Sequence, residues 1–115
     1  MVDATINSAR LNGSLEELGR IGDTPEGMQR LAFTPADMAG REYTISLMRR
    51  AGMEIHIDSG GNIVARKGGS VPNLPALALG SHTDTVPCGG KYDGALGVMG
   101  AIEVVQALAD QNLTL

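Results

Sequence analysis

The sequence predicts an α/β domain with helices flanking a mixed sheet. Three observations carry this. Apolar residues recur at helical spacing in three separate stretches, around Leu15, around Leu47 and from Ala95 onward. Between the second and third, Met53, Ile55 and Ile57 alternate with Glu54, His56 and Asp58, the period of a half-buried strand. The apolar run Ala76 to Leu79 then has the length of a short buried strand and delivers a histidine, His82, to its end.

Taken in order, residues 6–18 read as a first helix. Leu11, Leu15 and Leu18 share a face, Gly13 lowers the local propensity, and Gly19 and Gly22 end it. Thr24 to Leu31, with Pro25 and Gly27, reads as a loop. The second helix is better punctuated. Thr34 suits the N-cap, Pro35 the first helical position and Asp37 the positive end of the helix dipole. Met38, Leu47, Met48 and Ala51 give it an inward face, Arg49 and Arg50 suit its last turn, and Gly52 is the stop. Ser59-Gly60-Gly61-Asn62 is a turn leading to a partner strand, Ile63 to Arg66. This hairpin, residues 53–67, is expected beside a central strand at 76–81, after a polar loop from Gly68 to Pro75.

The last helix, Gly94 to Asn112, is apolar on nearly every side and should be covered on most of them. It is expected to pack on the sheet. The preceding elements offer little cover, so the pattern predicts a piece of something larger, with an exposed, association-prone patch around Val98, Ile102 and Val105.

Composition narrows the function. One small domain fits in 115 residues, and 43% hydrophobic with 19% charged residues argues against disorder. A formal charge of −4 without any basic run argues against nucleic acid as a partner. Cys88 is the single cysteine, so an internal disulfide is excluded and a reducing compartment is the simplest expectation. The N-terminus has no secretory pattern, and no apolar stretch reaches the ~18 residues of a membrane span. The expectation is a soluble, cytoplasmic protein that does not engage membranes.

The chemistry concentrates between positions 80 and 94. A neutral imidazole at a strand end and carboxylates at Asp84 and Asp93 are what a zinc-like site requires. Each has a plainer reading: His82 satisfied by backbone, Asp84 closing a turn with Thr85, Asp93 capping the last helix. Asp84 is close enough to accept the second N–H of His82 and fix its tautomer. Asp93 could ligate one cation or bridge two, which lie ~3.5–4 Å apart in two-metal hydrolases. His56, between Glu54 and Asp58 on the polar face of its strand, reads as a surface residue. Cys88 reads as a small loop residue facing the site, and Lys91 and Tyr92 as its rim or as ordinary loop packing.

As an ordered string, Gly80-Ser81-His82-Thr83-Asp84-Thr85-Val86-Pro87 with Gly90-Lys91-Tyr92-Asp93-Gly94-Ala95-Leu96-Gly97-Val98 resembles the first metal-binding region of the aminoacylase/carboxypeptidase-type metallopeptidase superfamily. More narrowly it is similar to the branch of N-carbamoyl-L-amino-acid hydrolases, allantoate amidohydrolases and beta-ureidopropionases. Leu15 to Gly22, Arg30 to Thr34 and Asp58 to Asn62 resemble further segments of that branch. The resemblance implies a zinc-peptidase-like fold, with His82 binding one metal, Asp93 bridging two, and Asp84 orienting His82 as a catalytic-site residue. It implies two divalent cations, zinc or manganese, with cobalt or nickel in some members. It also implies hydrolysis of a carbamoyl or ureido C–N bond in a small-molecule substrate by metal-activated water, and a cis peptide at Asp93–Gly94. Aminoacylase or dipeptidase activity is the alternative within the superfamily.

The family's general base belongs to a consecutive Glu pair after the last helix. The only such pair here, Glu16-Glu17, lies in the first helix and reads as a solvated face. Residues 1–115 are therefore expected to be the N-terminal part of a metal-binding catalytic domain. The remaining ligands and the lid domain, through which such enzymes dimerise, are expected to lie beyond it. By itself the chain is expected to be inactive, or a non-catalytic truncated remnant with weak metal binding.

Overall fold

Residues 4–115 are described in a computed structural model. It comprises helices α1 (Ser8–Arg20), α2 (Pro35–Arg50) and α3 (Ala95–Asp110) and two small hairpins, β1 (Asp23–Thr24) with β2 (Gly27–Met28) and β3 (Glu54–Ile57) with β4 (Ile63–Arg66). Local chemistry sets the helix ends. Asn7 caps α1 by accepting from the Arg10 N–H, which moves the start two residues past Ile6. Thr34 caps α2 by accepting from Asp37 N–H, and the Asp37 carboxylate returns to Phe33 N–H at 2.9 Å. Both α2 and α3 end in the same paired closure. Gly52 N–H reaches Arg49 O and Met53 N–H reaches Met48 O; Asn112 N–H reaches Ala109 O and Leu113 N–H reaches Leu108 O. The left-handed residues this closure needs are Gly52 and Asn112.

The β3–β4 hairpin forms as its alternation predicts, with Glu54 opposite Arg66 and Ile57 opposite Ile63. Its turn is organised by Asp58, whose carboxylate accepts from Gly60 N–H, Asn62 N–H and the Asn62 amide. Residues 24–31 are not a plain loop. They carry most of the β1–β2 hairpin, with Gly27 at φ +119° packed against the backbone of Cys88, where a Cβ would come within 3.0 Å.

The core is helical. Leu15 and Leu18 of α1, Leu47 and Ala51 of α2 and its C-cap, and Ala95, Val98, Met99 and Ile102 of α3 form one buried cluster. Met38 is exposed and lies outside it. Three expectations are overturned. There is no mixed sheet: among the described residues the two sheets are separate two-stranded antiparallel hairpins. Residues 76–81 form no strand, because no neighbouring strand is placed to take up their backbone groups, and Leu77 is left 77% exposed. Helix α3 packs chiefly on α1 and α2 rather than on a sheet. Its inward face therefore holds Val98 and Ile102, which are buried, with Val105 half-buried against them. Among the exposed apolar residues are instead Val71, Leu74, Leu77, Leu79 and Val86 before α3, and Leu96 and Val104 on its outer side.

The molecule is a flat slab of 46 × 34 × 18 Å. Its accessible surface of 7358 Å² exceeds the about 5,900 Å² of a compact monomer of this mass. Its radius of gyration is 14.8 Å, against ~13 Å for a compact domain of this length. Among the described residues no helix is long and apolar enough to cross a membrane.

One charged residue sits inside this interface. Glu103 of α3 is 2% exposed and accepts from Arg10 Nε at 2.7 Å, Arg10 Nη2 at 2.9 Å and Asn7 N–H at 2.7 Å. Arg10 also meets Asp110 at 2.8 Å, so α1 and α3 are tied by a charged seam beside the apolar one. The Arg10 side chain holds the Glu103 carboxyl below its ordinary range, against the opposing effect of burial. The unfolded state therefore binds the extra proton within the window below the ordinary carboxylate value, and the seam's stabilisation is lost as pH falls through it. The urea midpoint should drop between about pH 5 and pH 3, and Glu103→Gln should flatten the profile except for a slope from Asp58, held low by Asn62. Glu103→Ala should cost about 2 kcal/mol by removing the buried partner of half-buried Arg10 and leaving it only the exposed Asp110.

Candidate functional site

The segment carrying His82 and Asp84 has no strand to hold it, and a buried arginine does so instead. Arg30, just past β2, is 0% exposed. Its Nε donates to Thr83 O at 2.7 Å, and its Nη1 donates to Leu18 O at 2.8 Å and Ile21 O at 2.7 Å at the end of α1. Its main chain completes the clamp. Arg30 N–H donates to Thr85 Oγ1 at 3.0 Å and Thr85 N–H donates back to Arg30 O at 2.8 Å. Further along, Met28 and Gly89 exchange two backbone hydrogen bonds of 3.0 and 3.2 Å. Residues 28–30 thus run beside residues 83–89 and fix the loop between the two candidate ligands.

Burial lowers the Arg30 pKa, while the charges of Asp37 and Asp84 oppose that shift. Its Nη2 is buried and has no hydrogen-bond partner among the described residues. Gly40 of α2 makes the room: a Cβ there would sit 2.8 Å from Arg30 Cδ. Composition and spacing missed this residue's clamping role. An arginine beside a short hairpin looks like any solvated cation, and its burial follows only from where the hairpin docks.

His82 is half-exposed and held on two sides. Its Nδ1 lies 3.0 Å from the Asp84 carbonyl oxygen and 3.5 Å from Asp84 Oδ1. A carbonyl only accepts, so this contact assigns the proton to Nδ1 and leaves the Nε2 lone pair available. On the other side the ring lies over Gly94, where a Cβ would overlap Cε1 and come 2.5 Å from Nδ1. Three residues on, Gly97 leaves space for Ser81, whose Cβ would be 2.7 Å from an added one. Glycines one helical turn apart at the start of α3 therefore admit the Ser81–His82 segment against the helix.

Asp93 immediately precedes this contact. It does not cap α3: the N-cap is Gly94, and no side-chain cap hydrogen bond is made. Its carboxylate is exposed and has no partner among the described residues. The Asp93–Gly94 peptide is trans, contrary to expectation. The chain reverses instead through Gly94 at φ +67° and ψ −47°, with Ala95 N–H donating to Asp93 O at 2.7 Å in a γ-turn.

The remaining candidates fall in plainer roles. His56 is exposed on β3 opposite Val64. Cys88 is exposed at φ +54° and takes a 3.4 Å contact from the Gln29 amide. Lys91 Nζ stands 5.5 Å from the Tyr92 ring centroid, and its stem packs on Gly19 of α1. Glu16 and Glu17 are exposed.

A lone-pair imidazole nitrogen and an unengaged carboxylate are donors of the right chemistry for a zinc- or manganese-like cation. The described residues contain no group of three or more His, Cys, Asp or Glu side chains able to hold a metal ion. The donors thus fit part of a coordination shell.

No protein-family model matches the chain. Individual proteins do. An N-carbamoyl-L-amino-acid amidohydrolase of Pseudomonas sp. (strain NS671) is 41% identical over 114 residues, covering 98% of this chain and 28% of that protein. A ureidoglycolate hydrolase of Arabidopsis thaliana is 40% identical over 105 residues, covering 90% of this chain and 22% of that protein. The crystal structure of a hydantoinase/carbamoylase family amidase from Burkholderia ambifaria superposes with a TM-score of 0.93 at 41% identity, over 96% of this chain and 28% of the other. The chain thus spans under a third of the length of these relatives.

The contact between Gly94 and His82 is directly testable. Gly94→Ala combines a positive φ with a steric overlap and should destabilise the fold by about 2 kcal/mol or more while shifting the His82 ring resonances. Gly100→Ala, on the same helix with open space around it, should be neutral or stabilise by up to about 1 kcal/mol, with His82 unchanged. Urea denaturation and ring-proton NMR of both variants make the comparison.

Proposed function

We propose that this chain, a homologue of N-carbamoyl-L-amino-acid amidohydrolases and hydantoinase/carbamoylase family amidases, carries the first part of the metal-binding catalytic domain of such an enzyme. The observation that carries the reading is the packing of the His82 ring on Gly94, the residue after an exposed Asp93 whose carboxylate has no cap or ion-pair role among the described residues. The reaction class is hydrolysis of a carbamoyl or ureido C–N bond in a small substrate such as an N-carbamoyl amino acid or allantoate.

In this reading His82 Nε2 and the Asp93 carboxylate would hold the divalent cations. Asp84 holds the His82 ring through its carbonyl and carboxylate, keeping the proton on Nδ1. A bound pair of divalent cations supplies Lewis-acid polarisation of the scissile carbonyl and of water. The glycines at 94 and 97 let the histidine segment approach the helix start, which Asp93 immediately precedes in sequence. Neither Glu16 nor Glu17, exposed on α1, is offered as the general base.

A second reading, a non-catalytic chain with weak metal binding, is favoured by the lack of any three-donor group among the described residues. The two readings agree on where a cation goes and differ on turnover. Calorimetric titration of zinc into the 115-residue chain should show weak binding that His82→Ala and Asp93→Asn each abolish. Zinc binding unchanged in both variants would remove the site. Hydrolysis of an N-carbamoyl amino acid by the isolated chain is expected to be undetectable, and robust turnover would rule out the non-catalytic reading.

A further inference from the structure

We propose that Arg30 is a positioning residue for His82: its buried clamp on residues 83–85 aims the Asp84 carbonyl at Nδ1 and so frees Nε2. The inference rests on the reading of His82 as a ligand, but it is carried by a different set of contacts. Thr83 is tied through its carbonyl to Arg30 Nε, and Thr85 is tied through both its N–H and its hydroxyl to the Arg30 main chain. Asp84 sits between two clamped residues, so its peptide plane has little freedom to rotate. The Asp84 carbonyl then faces the imidazole at 3.0 Å.

The side chain must be arginine for this. Nε serves Thr83 while Nη1 serves Leu18 and Ile21, so one planar fork joins the candidate-site loop to the end of α1. A lysine reaching the same place has one nitrogen and cannot satisfy both sides. The fold makes room for the fork at Gly40, and at Gly22, where a Cβ would lie 3.2 Å from Arg30. An exposed imidazole with no fixed acceptor would be free to move its proton to the other nitrogen, and that would block the lone pair a metal needs.

The test uses the 15N-labelled chain at about pH 8, where an ordinary imidazole is neutral. Two-bond proton–nitrogen correlations report the tautomer of each ring. His56, exposed on β3, serves as the internal reference. Wild-type His82 should be mostly the Nδ1–H form. Arg30→Lys should shift its tautomer ratio about fivefold toward Nε2–H, the worth of one net hydrogen bond, while leaving His56 unchanged. Should Arg30→Lys fail to fold cooperatively, Thr85→Val carries the test, since it removes one tie and leaves the arginine in place. It should move the ratio the same way by a smaller factor.

Zinc is then added to each. The apparent affinity read from the His82 resonances should fall by at least about tenfold in the variant, the usual effect of losing a group that orients a ligand. A wild-type His82 found mainly as Nε2–H, or a ratio unmoved in both variants, overturns the proposal, whether or not zinc binds. A ratio that moves as expected in a chain whose His82 never responds to zinc upholds the positioning role and defeats the metal reading alone.

Discussion

A guanidinium without solvent contact is the constraint on which the candidate site depends. Desolvating a cation costs several kcal/mol even after relaxation. Arg30 offsets that cost with hydrogen bonds to Thr83, Leu18 and Ile21 and with the nearby charges of Asp37 and Asp84. Those bonds do the work that a sheet would otherwise do for the loop. They tie the stretch just after the first candidate ligand to the end of α1, while the Met28–Gly89 pair ties down the stretch running on toward the second. The loop between His82 and Asp93 is thereby held at residues 83–85 and at Gly89, although residues 76–82 have no strand partner among the described residues.

The rest of the structure supports this loop from below. Three helices form the core, and α3 is packed with Ala95 buried in its first turn and Ile102 in its middle. The helix start is therefore a rigid platform. Gly94 and Gly97 open that platform to the histidine segment, and the γ-turn at Gly94 places Asp93 just ahead of the helix without committing its carboxylate to a cap. The Arg10–Glu103 seam keeps α1 and α3 together, and α1 is the element whose last carbonyls receive Arg30. Core, seam, clamp and loop thus form one chain of dependence.

Much of this was legible in the residues. Thr34-Pro35 and Gly52 marked α2 to the residue, and alternation marked β3 and β4, because capping and period-two patterns are local. The homology of the His82-to-Gly97 string was legible from the order of its residues. What failed was non-local. Ala76 to Leu79 has strand composition, yet a strand needs a neighbour, and none lies beside it among the described residues. Val98 and Ile102 were expected outside because α3 looked too apolar for the available cover. The helix–helix core supplied that cover, and Glu103 was sealed inside by an arginine from α1. Arg30 left no sequence signature as a clamp, since its burial follows from tertiary docking.

The central claim is that His82 and Asp93 address one and the same cation. Paramagnetic broadening by substoichiometric manganese(II) on the 15N-labelled chain tests it most directly, because broadening falls off steeply with distance from the ion. Signals of His82, Asp93 and Gly94 should vanish together before any others. Broadening that starts at His56, Glu54 and Asp58, or that strikes His82 while sparing Asp93 and Gly94, would contradict the account.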